Sequence, residues 1–163
     1  MSEIPKKIFI IPYRDREQHK IVFVNQYKHI LKKHSYAMFF VHQTDDRPFN
    51  RGATKNIGFL HAKEKYPDDY KKITFIFNDI DTLPYDETTC DFNTSFGKVK
   101  HFFGFKQTLG GIIAIKGNDF EKINGFPNIW GWGYEDNALK QRWVKSKGTI
   151  DYSQFYPYKD RSI

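Results

Sequence analysis

Three short apolar runs, separated by two helical patterns, constrain the fold of this chain more than any other feature. The runs cover residues 8–12, 36–41 and 73–77, and each predicts a strand. The first run is almost wholly apolar, which suits a strand buried on both faces. The order β-α-β-α-β favours an α/β fold, in which helices flank a mostly parallel central sheet. The first helical pattern has apolar residues at Phe23, Val24, Tyr27, Ile30 and Leu31.

Cap signals indicate where the first two helices begin. Asp15 is followed three residues later by Gln18, which is the spacing of a capping box. Asn50 or Thr54 would begin the second helix. This helix is predicted to turn three apolar residues toward the sheet, namely Ala53, Ile57 and Leu60.

The sequence of the second half of the chain predicts fewer secondary-structure elements. Residues 86–107 are polar and aromatic and show no clear period. The apolar run 112–115 predicts a further strand, and Asn118 with Glu121 predicts the cap of a short helix. The last helix is expected over residues 135–147.

Composition is typical of one domain without disulfides. The chain has 163 residues and a single cysteine, Cys90. Its formal net charge of +7 favours anionic partners such as nucleic acid or phosphorylated metabolites. The first apolar run is too short to span a membrane, and no cleavage site of a secretory signal follows the N-terminus. We therefore expect a soluble, cytoplasmic protein without a membrane segment, or a domain of a larger protein.

Acidic residues follow the third predicted strand. Ligands bind beyond the carboxyl ends of strands in sheets of this kind, and residues 12–16, residues 78–81 and the turn after Ile115 have such positions. Asp79 and Asp81 flank one residue, so an extended backbone would turn both carboxylates to one face. Such oxygen ligands suit Mg²⁺ or Mn²⁺ bound with a diphosphate. The alternative is a turn in which both aspartates only accept backbone hydrogen bonds.

Cationic and aromatic residues nearby could hold a nucleotide. Arg14 and Arg16 could reach a diphosphate or a base, or they are two surface arginines. Phe49, Asn50 and Arg51 offer a ring, an amide and a cation, which could hold uracil. The alternative for these three residues is a hydrophobic staple with a helix cap.

Residues 130–137 combine tryptophans, glycines and adjacent acids. Glycines beside Trp130 and Trp132 have access to positive φ, which predicts a mobile lid over a polar ligand. Glu135 and Asp136 begin the last helix, whose positive end favours their ionised forms. Asp136 could therefore act as a general base for a sugar hydroxyl. The alternative is a buried aromatic turn before an ordinary acidic helix start.

In this order, these segments resemble the β-1,4-galactosyltransferase family. The resemblance covers most of residues 8–144 and implies a GT-A type nucleotide-sugar fold in a single catalytic domain, residues 1–163. It also implies inverting transfer of a hexose or N-acetylhexosamine from a UDP-sugar to a hydroxyl of a glycan or glycoconjugate, which forms a β-glycosidic bond. The segments that carry it are 11–16, 49–51, 56–59, 77–81, 110–112, 123–127 and 130–136.

The resemblance implies roles for individual residues. Asp136 would be the catalytic base, and Asp81 would bind the metal, with Asp79 as a second candidate. The acceptor would be bound by Tyr134, Glu135, Asp136 and Asn137. The residues implied to bind the nucleotide sugar are Pro12, Tyr13, Arg14, Arg16, Phe49, Asn50, Arg51, Ile80, Asp81, Gly111 and Trp132.

Three positions depart from the family pattern. Tyr134 stands where the family usually has a second glycine, and it would stack on an acceptor sugar or narrow the acceptor site. Asn137 replaces a third acid, which bears on acceptor binding. Thr108 stands where galactosyl members have Tyr and N-acetylgalactosaminyl members have a smaller residue. An N-acetylated donor is therefore at least as compatible with the sequence as galactose.

The resemblance implies Mn²⁺ as a cofactor, but part of the family's ligand set is missing. The segment after the last helix, residues 151–163, has no histidine and no methionine. Asp151, Asp160 or a water could complete the metal shell, or Lys159 or Arg161 could neutralise the diphosphate without metal. The family's disulfides and membrane stem are also missing, which favours a minimal cytoplasmic member from a microbe or virus.

Two other functions stay open. A catalytically inactive binding module for carbohydrate or nucleotide sugar would fit the lost histidine and Tyr134, whereas intact Asp81, Trp132 and Asp136 oppose it. A nucleic-acid-binding domain would fit the net charge, but the chain has no known motif of that kind. Nucleic acid is therefore not an expected partner.

Overall fold

The computed structural model describes residues 3–32 and 34–163. Met1, Ser2 and Lys33 lie outside this range. The prediction that the N-terminus has no secretory signal therefore falls partly outside the described residues. The elements are β1 (Lys7–Tyr13), α1 (Glu17–Ile30), β2 (Tyr36–His42), α2 (Arg51–Lys65), β3 (Thr74–Asn78), β4 (Lys98–Gly104), β5 (Ile112–Lys116), α3 (Gly117–Lys122), α4 (Glu135–Lys145), β6 (Thr149–Asp151) and β7 (Tyr156–Pro157).

The described strands form one mixed sheet in the order β2-β1-β3-β5-β4-β6, and β7 also pairs with β4. β1 is parallel to β2 and β3. β5 is antiparallel to β3 and β4, whereas β4 is parallel to β6 and β7. The predicted α/β architecture is confirmed, and four of the six strand pairings are parallel.

Alternate residues of the central strand β1 face two separate apolar clusters. Ile8 and Ile10 belong to the cluster under α2 and α4, which contains Trp143. Phe9 and Ile11 belong to the cluster on the other face. That cluster also contains four of the five residues of the predicted apolar face of α1, namely Phe23, Tyr27, Ile30 and Leu31. The fifth, Val24, is only partly buried. A strand buried on both faces explains why its sequence is apolar without alternation.

The antiparallel direction of β5 corrects one prediction about the site. Ile112, at the start of β5, pairs with Asn78, whereas Lys116 pairs with Thr74 at the opposite edge of the sheet. The turn after Ile115 therefore does not lie beyond the carboxyl ends of β1 and β3. The segment before β5 lies there instead, and the chain returns to this edge only after α3.

The helix caps agree with the sequence only in part. Asn50 caps α2, since its side chain accepts a hydrogen bond of 2.9 Å from the backbone N–H of Ala53. The predicted capping box at Asp15 is wrong, because α1 begins at Glu17 without a side-chain cap and Asp15 has φ of 54°. The predicted cap at Asn118 is also wrong, because α3 begins one residue earlier.

The predicted inward face of α2 is wrong. Ile57 and Leu60 are 56% and 58% exposed, whereas Phe59 is 5% exposed and Ala62 is fully buried. Gly58 explains the choice of face, since a Cβ there would lie 2.6 Å from Ile10 Cγ2. The helix therefore packs against β1 at Gly58, which has no side chain. This orientation buries Phe59 and Ala62 and leaves Ile57 and Leu60 exposed. The sequence also gave no signal for β4.

The longest described helix, α2, has 15 residues and carries basic residues along its length. Within residues 3–32 and 34–163, we find no helix with both the length and the apolar character needed to cross a membrane.

The corrected face of α2 predicts opposite outcomes for two nearby truncations. Phe59→Ala should lower the free energy of unfolding by about 3–5 kcal/mol, because its ring packs between Phe75 and Phe120. Ile57→Ala should change it by less than about 0.5 kcal/mol, because Ile57 is exposed. Urea unfolding of both variants measures the difference. Equal losses would show that α2 packs as its apolar pattern suggests.

Candidate functional site

Two adjoining clefts lie beyond the carboxyl ends of β1 and β3. We name the first the arginine cleft; it has a volume of about 510 Å³ and is lined by Pro12, Tyr13, Arg14, Asp15, Arg16, Phe49, Arg51, Asp79, Ile80, Asp81 and Trp132. We name the second the aromatic cleft; it has a volume of about 520 Å³ and is lined by Arg51, Asp79, Thr82, Phe103, Gly104, Phe105, Thr108, Gly110, Gly111, Trp132, Gly133, Tyr134, Glu135, Asp136, Asn137 and Tyr158. Arg51, Asp79 and Trp132 line both.

Most residues predicted to bind the nucleotide sugar meet in the arginine cleft. Gly111 lines the aromatic cleft instead. Asn50 lines neither cleft, because its side chain is buried as the cap of α2 and donates to Asn128 Oδ1 at 2.5 Å. Those in the arginine cleft are Pro12, Tyr13, Arg14, Arg16, Phe49, Arg51, Ile80, Asp81 and Trp132.

All residues predicted for the acceptor line the aromatic cleft, together with the predicted specificity residue Thr108. They are Tyr134, Glu135, Asp136 and Asn137. Sequence reasoning missed Phe105 and Tyr158, whose exposed rings stack at 5.7 Å on the rim of this cleft. In the sequence, each of these residues is an aromatic residue within a polar segment, but no pattern indicates that the two rings are in contact.

The two tryptophans of the predicted lid have different surroundings. The indole of Trp130 packs 3.9 Å from the guanidinium of Arg47. Trp132 is 98% exposed and stands between Gly131 and Gly133, whose φ values are 106° and 105°. A Cβ at either glycine would meet no atom within 4 Å, so the backbone conformation, rather than crowding, requires glycine there.

Arg51 is the centre of a five-charge cluster, defined as Arg51, Lys55, Asp79, Glu135 and Asp136. Its guanidinium lies 2.9 Å from Asp79 Oδ2 and 2.8 Å from Glu135 Oε1, and it also pairs with Asp136 Oδ2. Lys55 Nζ lies 3.3 Å from Asp79 Oδ1 and 3.7 Å from Asp136 Oδ1. No local pattern in the sequence indicates that Lys55 belongs to this group.

The pKa values of the two aspartates in this cluster are shifted in opposite directions. Burial raises the pKa of Asp136, and the cations Lys55 and Arg51 only partly oppose this rise. Burial acts in the same sense on Asp79, but Lys55 and Arg51 outweigh it and lower the pKa of that carboxyl. The three carboxylates likewise raise the pKa of Arg51 against the effect of its burial. Asp136 is therefore the stronger base of the two aspartates.

Backbone contacts hold the acidic residues in place. The N–H of Asp79 donates to the carbonyl oxygen of Gly111 at 3.0 Å, and the N–H of Leu109 donates to that of Asp136 at 3.1 Å. Gly110 is needed here because a Cβ would overlap the Asp136 carboxylate. His101 Nε2 lies 3.1 Å from the carbonyl oxygen of Gly110, to which it donates as the neutral Nε2–H tautomer.

Three acidic residues line the arginine cleft, and Asp81 is the one without an ion pair among the described residues. Asp15 Oδ2 lies 3.9 Å from Arg14 Nε. The Asp81 carboxylate is exposed and contacts only the Thr82 hydroxyl, at 3.5 Å, among the hydrogen bonds of the described residues. Asp79 is instead ion-paired with Arg51 and Lys55. No group of three potential metal-binding side chains occurs in the part of the chain that the structure describes. The donor set thus fits a divalent cation shared with a diphosphate, not a cage of protein ligands.

The residues after α4 that were considered for the diphosphate or its metal lie elsewhere. Asp151 accepts a hydrogen bond from Ser153 N, and Asp160 accepts one from Ser162 N. These two aspartates, Lys159 and Arg161 line neither cleft.

Models of two known sequence families match the chain in succession. The N-terminal region of glycosyl transferase group 7 matches residues 3–92, and the N-terminal domain of galactosyltransferase matches residues 91–160. The chain belongs to the β-1,4-galactosyltransferase family. The family resemblance expected from the sequence is therefore confirmed.

Relatives in this family are longer than the chain. Beta-1,4-galactosyltransferase 1 of Mus musculus is 35% identical over 154 residues, which are 86% of this chain and 37% of that protein. Beta-1,4-galactosyltransferase 6 of Rattus norvegicus is 33% identical over 148 residues, which are 84% of this chain and 38% of that protein. The chain thus spans less than two fifths of these relatives.

Solved structures confirm the GT-A type fold. The catalytic domain of Drosophila β-1,4-galactosyltransferase 7 in complex with xylobiose matches with a TM-score of 0.80 and 25% identity, over 98% of this chain and 67% of that one. A mutant of that protein, in complex with manganese, UDP-Gal and xylobiose, matches with the same TM-score over the same shares at 24% identity.

The buried His101 predicts an acid-dependent loss of stability. Burial lowers its pKa to about 4, from an ordinary value near 6.5, so the unfolded state binds the proton first as pH falls. The free energy of unfolding should therefore fall by about 3 kcal/mol between about pH 6.5 and pH 4 from this group alone. His101→Gln should lack that part of the decline, and the exposed control His29→Gln should keep it. Identical pH profiles of urea unfolding in all three proteins would contradict the prediction.

Proposed function

We propose that the chain is an inverting glycosyltransferase that moves a hexose or N-acetylhexosamine from a UDP-sugar to a sugar hydroxyl and forms a β-glycosidic bond. The observation that carries this proposal is the position of Asp136. It is a carboxylate of raised pKa in the aromatic cleft, and Arg51 joins it to the neighbouring arginine cleft. We further propose that residues 1–163 act as a single catalytic domain.

The arginine cleft is suited to the UDP part of the donor. Three guanidinium groups line it, and arginine binds phosphate oxygens in bidentate geometry. The ring of Phe49 lies under Arg14, with 5.6 Å between the guanidinium carbon and the ring centre, and offers a flat face to a base. A mutant of a structural neighbour holds UDP-Gal.

The aromatic cleft is suited to the acceptor. Its exposed rings Phe105, Tyr134 and Tyr158 can cover the apolar faces of sugar rings. Glu135 can accept hydrogen bonds from sugar hydroxyls, and Asn137 can both donate and accept them. The catalytic domain of Drosophila β-1,4-galactosyltransferase 7, described above, was solved with xylobiose. We therefore propose a glycan or glycoconjugate as the acceptor.

The reaction follows from where the two clefts meet. Asp136 takes the proton of the acceptor hydroxyl as its oxygen attacks the anomeric carbon of the donor sugar from the face opposite the UDP. The bond from the anomeric carbon to the phosphate oxygen breaks, and UDP leaves with that electron pair, so the configuration inverts. Trp132, between both clefts on its glycine hinges, would cover the reacting sugars and exclude water.

Asp81 would hold a divalent cation such as Mn²⁺ together with the diphosphate of the donor. The cation would neutralise charge on the departing diphosphate. Arg14, Arg16 and Arg51 act on the same charge from the protein side, because all three line the arginine cleft.

The relatives give no support to the alternative of an inactive binding module, because they are named as galactosyltransferases. Cytoplasmic location and a microbial or viral origin stay predictions, as does the exclusion of nucleic acid as a partner.

Replacing the proposed base should abolish transfer while donor binding is kept. Asp136→Asn should lower kcat by about 10²–10⁴-fold, because the amide cannot take a proton, while the Kd for UDP-sugar changes only a few-fold. UDP release from UDP-Gal, UDP-GalNAc and UDP-GlcNAc with a panel of sugar acceptors, with and without Mn²⁺, measures this. The exposed Asp68→Asn is the control. Full UDP release by Asp136→Asn would refute the proposal, and donor binding without turnover in the wild type would favour the binding module.

Thr108 is proposed to leave room for an N-acetyl group on the donor. It lines the aromatic cleft beside Gly110 and Asp136. Thr108→Tyr should lower kcat/KM for UDP-GalNAc relative to UDP-Gal by about tenfold or more, because the larger ring occupies that space. Gln107→Tyr adds the same ring outside both clefts and should leave the ratio unchanged. An unchanged ratio in Thr108→Tyr would remove Thr108 from donor selection.

A further inference from the structure

Lys55 is a buried cation for which the proposed reaction has given no role. It lies one helical turn after Arg51 on α2 and is 1% exposed. Its Nζ is close to Asp79 Oδ1 and Asp136 Oδ1, at 3.3 and 3.7 Å, and lies 4.8 Å from the ring centre of Phe126. Lysine is almost never buried this deeply unless it is paired, so the two carboxylates account for its position.

Arg51 and Lys55 hold the same two carboxylates from different sides. Arg51 pairs with Oδ2 of Asp79 and of Asp136, whereas Lys55 faces Oδ1 of each. Both Oδ1 atoms are buried and accept no hydrogen bond within the described residues. The ammonium group of Lys55 is the positive charge that faces them, and two-sided pairing restricts rotation of each carboxylate.

The two cations differ in their access to ligands. Arg51 lines both clefts, whereas Lys55 lines neither and lies behind the carboxylates. A diphosphate in the arginine cleft would compete with Asp136 for the guanidinium of Arg51, since arginine binds phosphate and carboxylate in the same way. Lys55 would stay beside Asp136 throughout.

We propose that Lys55 is a positioning residue, which keeps Asp136 ionised and its carboxylate oriented while Arg51 is drawn to the diphosphate of the donor. The proposal rests on the proposed function of Asp136 as the base. Lys55 acts through Asp136 and touches no substrate. A buried carboxylate without an adjacent cation would take up a proton from solvent and could no longer accept one from the acceptor hydroxyl.

Among the described residues, the charges that act on Asp136 belong to the five-charge cluster. α2 contributes the cations Arg51 and Lys55, the residue after β3 contributes the anion Asp79, and α4 contributes Glu135. With Arg51 engaged by phosphate, the charge of Lys55 is the remaining one that opposes the two neighbouring acids.

The segment before β5 adds no charge to this balance. It faces Asp136 with Gly110, which has no side chain. His101 lies behind Gly110 and is neutral above its pKa of about 4. Removing Lys55 therefore acts in one direction, toward protonation of Asp136 at higher pH.

The kinetic test compares Lys55→Met with the wild type and with Lys63→Met, which removes a part-exposed lysine of the same helix. UDP release from UDP-Gal and UDP-GalNAc is measured with sugar acceptors from about pH 5 to about pH 9. In Lys55→Met, the acid limb of kcat should move up by about one pH unit, with kcat about tenfold lower on that limb and KM for the donor within about twofold. Lys63→Met should follow the wild type. An unchanged acid limb, or an effect confined to KM, would overturn the proposal.

A second test does not need turnover. Carbon-13 NMR of the aspartate carboxyls, with the Asp136 signal identified by its absence in Asp136→Asn, gives the pKa of Asp136 in the wild type and in Lys55→Met. The pKa should be higher in Lys55→Met, and equal values would overturn the role of Lys55. A wild type that releases no UDP from any donor would refute the proposed function, while this titration would still decide whether Lys55 holds Asp136 ionised.

Loss of a buried cation can also prevent folding, so a charge-balanced pair of variants completes the test. Lys55→Met/Asp79→Asn removes one charge of each sign from the five-charge cluster, and it is compared with Asp79→Asn alone. The pKa of Asp136 should be higher in the double variant. Equal pKa values in this pair would contradict the proposal even if Lys55→Met does not fold.

Discussion

The ion pairs of Arg51 fix the relative positions of three segments that are far apart in the sequence. Arg51 is the first residue of α2, Asp79 follows β3, and Glu135 and Asp136 begin α4. The guanidinium meets a carboxylate from each of the other two segments at ion-pair distance. Removal of one partner from such a buried group leaves an uncompensated charge, which is strongly destabilising. The five-charge cluster therefore decides where Asp136, the proposed general base, and both clefts lie.

The mixed sheet explains how a short chain brings so many segments to one edge. β1 and β3 end there, and the antiparallel β5 begins there, so Gly110 and Gly111 lie beside the residues that follow β3. Both glycines are required by close approach. A side chain at residue 110 would overlap the Asp136 carboxylate, and one at residue 111 would overlap the carbonyl oxygen of Phe103. A wholly parallel sheet would have needed a further crossover helix to bring this segment to the same edge.

Local patterns predicted much of the fold and of the candidate site, and long-range contacts decided the rest. The apolar strands and the cap at Asn50 depend on neighbouring residues, so the sequence predicts them well. Ligands bind beyond the carboxyl ends of parallel strands, and this rule predicts that segments 12–16 and 78–81 lie close together. The face of α2 could not be predicted, because Gly58 packs on Ile10 and because the buried Lys55 owes its position to aspartates 24 and 81 residues away. Phe105 and Tyr158 stack across 53 residues, and no local spacing reveals such a pair.

The sharing of residues between the two clefts has a thermodynamic consequence. Arg51 and Asp79 line both clefts, so an anion that engages Arg51 on one side changes the field and the hydrogen bonds on the other. Linkage requires such an effect to be reciprocal: if occupancy of the arginine cleft strengthens affinity in the aromatic cleft by some factor, occupancy of the aromatic cleft strengthens affinity in the arginine cleft by the same factor. Cooperative binding of two unlike molecules thus needs no movement of domains here, because the two sites share side chains.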